Sequence, residues 1–114
     1  MKRIAFIGLG IMGGGIAGTL LSAGYDLTIW SRNPDQGKPL VKRGAKAAPN
    51  IAAAVKNAEV VMYSLSNDLA VEEVVFGPGG VLSSIHSGQI VVDQSTVHPQ
   101  TSRREAEAYA KKGV

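Results

Sequence analysis

The chain of 114 residues has no cysteine. That excludes a disulfide framework, a thiolate nucleophile and a zinc–cysteine centre, and it agrees with a cytoplasmic home. Charge is sparse, at 18% of residues, and the two signs nearly cancel to a net +3. The basic residues are scattered as Lys2/Arg3, Lys42/Arg43, Arg103/Arg104 and Lys111/Lys112, and the few aromatics (5%) do not interleave with them. They read as solvated faces, so no nucleic-acid partner is expected, although a mildly basic domain suits a polyanionic ligand. No apolar run approaches the ~20 residues needed to span a bilayer, so no membrane partner is expected either. Lys2 and Arg3 precede an apolar stretch, but it is too short and too broken by glycine for a secretory signal. What remains is a globular composition, 45% hydrophobic, sized for one domain at most.

Glycine is where the chain is rich. The run Arg3-Ile4-Ala5-Phe6-Ile7 reads as a buried strand, Gly8-Leu9-Gly10-Ile11-Met12-Gly13 follows, and a helical pattern begins at once. A lone G-x-G-x-x-G carries little weight, but strand, turn and helix in this order match a dinucleotide-binding fingerprint. Gly8 serves the tight turn, Gly10 lets the backbone approach a pyrophosphate, and Gly13 lets the helix pack close to the sheet. The pyrophosphate would then meet free N–H groups at the helix N-terminus.

Strands and helices alternate through the rest of the chain. Strands are expected at about 3–7, 26–30, 45–47, 59–65 and 90–93. Helices are expected at about 11–23 (stopped by Gly24), 34–44 (opened by Asn33-Pro34), 51–56 (capped by Asn50), 68–75, 81–85 and 99–112, with Thr101 or Ser102 capping the last. Right-handed crossovers then predict an α/β fold, a Rossmann-like doubly wound parallel sheet of order 3-2-1-4-5 in a single three-layer domain. Ligands of such sheets bind beyond the carboxyl ends of the strands, so the segments after strands one, two, four and five are the ones to weigh.

After strand two an NAD site usually has an acid that bonds both ribose hydroxyls. Here the segment reads Trp30-Ser31-Arg32-Asn33, without one. Arg32 can grip a phosphate with its planar fork, and Ser31 and Asn33 can donate to phosphate oxygens. This favours NADP over NAD; the plain alternative is an exposed arginine in a loop.

After strand five comes Asp93-Gln94-Ser95-Thr96-Val97-His98-Pro99. Ser95 and Thr96 are suited to anchor a substrate carboxylate, although alone they would read as an ordinary turn and cap. Taken together, Phe6 to Gly13 and Asp93-Gln94-Ser95-Thr96 strongly resemble the β-hydroxyacid dehydrogenase family. Its members include 3-hydroxyisobutyrate dehydrogenases, tartronate semialdehyde reductases and glyoxylate or succinic semialdehyde reductases. A 6-phosphogluconate dehydrogenase is a more distant relative and would show a Gly-Gly-Asn type loop where Ser95-Thr96 stand. The resemblance covers the whole chain and implies NAD(P)-dependent interconversion of a small 3-hydroxy acid and its semialdehyde. It also implies that Leu65 and Ser66 cover the ribose and nicotinamide side, that Thr96 touches the nicotinamide end, and that Ser95 and Thr96 hold the substrate carboxylate. This chain departs from the family in two places. Gly15-Ile16 stands where proline and methionine are common, and Ser66 stands where proline is usual, so both loops should be less rigid.

Family members resemble one another in carrying a second, all-helical domain with a lysine general acid/base in G-x-x-x-K-x-x-N. The chain reaches Val114 without that segment, and Lys111, Lys112, His86 and His98 are not expected to replace it. The expectation is therefore residues 1–114 as the NAD(P)-binding domain of a longer reductase, inactive alone and a homo-oligomer when whole. A catalytically silent nucleotide-sensing module and an imine reductase relative are the rival readings. An S-adenosylmethionine-dependent methyltransferase fits the glycine entry less well.

Overall fold

In the computed structural model, which describes residues 2–9, 11–65, 68–93 and 99–114, Ile4, Ala5, Phe6 and Ile7 are each at most 5% exposed. They belong to β1 (Arg3–Leu9), the middle strand of a parallel sheet covered on both faces, and such a strand must be apolar on both sides. The other strands are β2 (Asp26–Trp30), β3 (Lys46–Ala47), β4 (Val60–Ser64) and β5 (Ile90–Asp93), in the order β3-β2-β1-β4-β5. Every pairing is parallel. This is the topology expected from the alternation of elements and the handedness of crossovers.

Strand alternation sorts the core into two layers. Ile4 and Phe6 of β1, Leu27 and Ile29 of β2 and Met62 of β4 pack with Ala17 of α1 (Ile11–Ser22) and Leu40 of α2 (Lys38–Lys42). Ala5, Ile7, Val61 and Tyr63 face the other way. There they meet α3 (Ile51–Lys56), α4 (Asp68–Val71), α5 (Val81–Ser84) and Tyr109 of α6 (Pro99–Ala110).

Local chemistry explains most element ends. The Asn33 side chain accepts from the Asp35 N–H at 3.1 Å and Pro34 follows, which opens a 3₁₀ turn over Pro34–Gly37 before α2. The Asn50 side chain accepts from the Ala53 N–H at 2.7 Å and caps α3. Three details differ from the sequence reading. The helix expected from 34 is a 3₁₀ turn joined to a short α-helix. The one expected over 68–75 is α-helical only to Val71 and continues as a π turn over Glu72–Phe76. Thr101 and Ser102 lie inside α6, which already begins at Pro99, so neither is its cap.

Arg43 is exposed, as expected of a solvated basic residue. Its guanidinium donates to the Gly18 carbonyl at 3.2 Å and to the Ser22 hydroxyl, fastening the end of α2 to α1.

Candidate functional site

The carboxyl edge of the sheet is where the sequence placed the ligand, and β1 reaches it through a bulge. Ile7 pairs with Tyr63 and Leu9 with Ser64, so one residue, Gly8, is extra on the β1 side. Gly8 has φ +81, a left-handed conformation that strains any side chain. A Cβ there would also stand 2.9 Å from Leu65 Cδ2. The strand thus turns into α1 with only a hydrogen atom facing the segment after β4. The first turn of α1 supplies the N–H groups of Ile11, Met12 and Gly13, which have no partner within the helix. A glycine cradle at the end of β1, backed by a buried Leu65 and opening on a helix N-terminus, fits a dinucleotide pyrophosphate. Gly10, Ser66, Ser95, Thr96 and His98 lie outside the described residues.

On the β2 side Ser31, Arg32 and Asn33 follow the strand as expected, but each already has a partner. The Ser31 hydroxyl donates to Gln36 Oε1 at 2.6 Å, and Asn33 Oδ1 is engaged by the Asp35 N–H. Arg32, with its side chain 68% exposed, pairs with Glu73 of the π turn, whose side chain is 46% exposed. Sequence reasoning passed over Glu73, because an acid in an amphipathic helix is expected to face solvent. The next acid, Glu72, turns the other way and pairs with Arg104, whose guanidinium also stacks 3.9 Å from the Phe76 ring centroid.

A second polar cluster lies between β4, β5 and α6. Tyr63 is fully buried and its hydroxyl donates to Glu105 Oε2 at 2.5 Å. Its own oxygen is then free to accept from the Tyr109 hydroxyl, 3.0 Å away. Glu105 is only 3% exposed. Burial pushes its carboxyl up to about 7, a hydrogen bond with the Asp93 carboxyl adds to the rise, and the Tyr63 hydroxyl partly offsets it. Burial is thus the main reason that Glu105 favours its protonated form. Burial also raises both tyrosine hydroxyls well above their usual range, so they remain donors at neutral pH. These groups line a cavity of about 450 Å³ with Ile90 and Val91. Only Asp93 of this set had been singled out in the sequence. The i, i+4 spacing of Glu105 and Tyr109 was the available signal, but it could not show that this stripe faces inward.

His86 is an exposed loop residue whose ring contacts the backbone carbonyls of Ser87 and Lys56 at 3.2 and 3.4 Å. Its backbone N–H meets Gln89 Oε1 at 2.8 Å. Lys111 and Lys112 are exposed, as expected, and Lys112 reaches the Leu82 carbonyl. Among the described residues no helix is long and apolar enough to cross a membrane.

Comparison with known proteins agrees with this geometry. The profile of the NAD binding domain of 6-phosphogluconate dehydrogenase matches residues 3–114. The 3-sulfolactaldehyde reductase of Escherichia coli is 41% identical over 112 residues, covering 97% of this chain and 38% of that protein. The cytokine-like nuclear factor N-PAC of Homo sapiens is 34% identical over 112 residues, covering 98% of this chain and 20% of that protein. Among solved structures, Psf3 in complex with NADP+ and 2-OPP superposes with a TM-score of 0.93 at 33% identity, covering 96% of this chain and 39% of that one. The chain thus spans two fifths or less of the length of these relatives. A glycine bulge at the end of the central strand, the order β3-β2-β1-β4-β5 and a match over nearly every residue lead to one assignment: the chain belongs to the 6-phosphogluconate dehydrogenase and β-hydroxyacid dehydrogenase family, as its NAD(P)-binding domain.

Proposed function

We propose that the chain is the NADP-binding domain of an oxidoreductase that interconverts a small 3-hydroxy acid and its semialdehyde, with an all-helical catalytic domain in the remainder of a longer protein. One observation carries the cofactor preference: an exposed Arg32, and no acid, follows β2. A carboxylate at that place would bond the ribose hydroxyls and repel a 2′-phosphate, whereas a guanidinium attracts it. Gly8 and the first turn of α1 would hold the pyrophosphate, with Leu9, Gly10, Ile11, Met12 and Gly13 around it. Leu65 and Ser66 would cover the ribose and nicotinamide side. Ser95 and Thr96 would hold the substrate carboxylate, with Thr96 at the nicotinamide end. When bound, the cofactor supplies or accepts the hydride. The residues of this domain bind and orient it, and the proton donor belongs to the second domain.

Calorimetric titration of the chain with NADP and NAD, at low and high salt, tests the reading. Tighter and more salt-sensitive binding of NADP is expected, with Arg32→Ala weakening NADP by roughly tenfold and leaving NAD nearly unchanged. Equal binding of both cofactors would overturn the role of Arg32. The chain alone is expected to turn over no semialdehyde, and robust activity would overturn the division of labour.

A further inference from the structure

Arg32 and Glu73 are joined across the candidate site. Arg32 lies just after β2 and Glu73 follows β4 by way of α4, and those two strands flank β1 on opposite sides. An ion pair between them joins the segments that follow the two strands beside β1, the strand that ends in the Gly8 bulge. Opposite charges brought together from the two walls of a crevice hold the guanidinium over its mouth. Both side chains remain substantially exposed, so the pair is weak and exchangeable, as surface ion pairs are. Glu73 is also set apart from its neighbour. Glu72 is already committed to Arg104 on α6, so within this turn only Glu73 faces the β2 side. We infer that Glu73 is a specificity-determining residue: its carboxylate is an internal stand-in for the 2′-phosphate, holding the Arg32 guanidinium over the crevice until a phosphomonoester displaces it.

The inference rests on the proposed NADP role of Arg32 and adds a consequence that role alone lacks. A ligand with a 2′-phosphate must break the Arg32–Glu73 pair and must accept a nearby carboxylate. Glu73 therefore lowers the affinity for phosphorylated ligands while costing little for those with a free 2′-hydroxyl. Removing its charge widens the discrimination instead of abolishing it.

The adenosine half of the cofactor suffices for the test. Adenosine 2′,5′-bisphosphate and 5′-AMP are titrated calorimetrically into the wild-type chain, Glu73→Gln, Arg32→Ala and the double variant, with thermal melts confirming that each is folded. Glu73→Gln is expected to tighten the bisphosphate about three- to tenfold and to change 5′-AMP less than about twofold. The gain should shrink in the Arg32→Ala background, where no guanidinium remains to be released. If Arg32→Ala leaves bisphosphate affinity unchanged, the cofactor reading fails and the inference with it. If Arg32→Ala weakens bisphosphate binding but Glu73→Gln fails to tighten it, only the role of Glu73 is overturned. A loss of 5′-AMP affinity in Glu73→Gln would assign the carboxylate to the ribose hydroxyls, and would overturn the inference too.

Discussion

At the scale of single residues, Glu105 shows how burial changes what a charge does. On an exposed helix it would titrate near 4.5, but here it is held neutral up to about 7. Between those values the native state keeps a proton that the unfolded chain has lost. Stability contributed by this group is therefore full below about 4.5 and declines as pH rises towards 7. The loss is on the order of 3 kcal/mol, since each pKa unit corresponds to about 1.4 kcal/mol. Glu105→Gln keeps an acceptor for the Tyr63 hydroxyl and a donor for Asp93 without a titrating proton. Urea unfolding should find the variant close to wild type at pH 5 and more stable than wild type at pH 8. A pH dependence parallel to that of wild type would show that Glu105 is ionised in the native state throughout.

At the scale of elements, the segment from Asp68 to Phe76 is the informative one. Its apolar spacing reads as an ordinary helix, with Val71, Val74 and Val75 buried. The π turn over Glu72–Phe76 ends at Gly77, where a Cβ would collide with the Glu73 carbonyl. Backbone, unlike the tip of a flexible side chain, cannot step aside cheaply. Gly77→Ala should therefore destabilise the fold by about 1–3 kcal/mol through this forced overpacking. It should also disturb the Arg32–Glu73 pair, which the same turn presents. Gly15 of α1 makes the contrast, because a Cβ there meets nothing within 4 Å. Gly15→Ala should raise stability by about 0.5–1 kcal/mol, since alanine is the better helix former. Thermal melts of the two variants check both signs, and matching shifts would remove the distinction.

At the scale of the molecule, the two helical layers share one sheet. β1 contributes Ile4 and Phe6 to one layer and Ala5 and Ile7 to the other, so neither layer keeps its core if the sheet opens. The Cα radius of gyration of 13.0 Å is that of one compact domain of this length. Unfolding should be a single transition. Fluorescence of Trp30, the only tryptophan, and far-ultraviolet circular dichroism should give coincident curves in urea. Separate midpoints would mean that the layers unfold independently.

The sequence alone determined the strand–glycine–helix entry, the caps at Asn33 and Asn50, and the sheet order. Each depends on contacts within a few residues or on a chirality rule that holds for any parallel crossover. The places of Gly8 and Arg32 in the fold were legible for the same reason, since both stand at the ends of recognisable strands. Tertiary structure alone decided the partners of the charged residues. Nothing near Arg32 in the chain points to Glu73, and nothing near Glu105 points to Tyr63 or Asp93. A charge on an amphipathic helix carries no mark of whether water or a distant side chain will face it. That outcome is set when the sheet brings β2, β4 and β5 side by side and their following segments meet at its carboxyl edge.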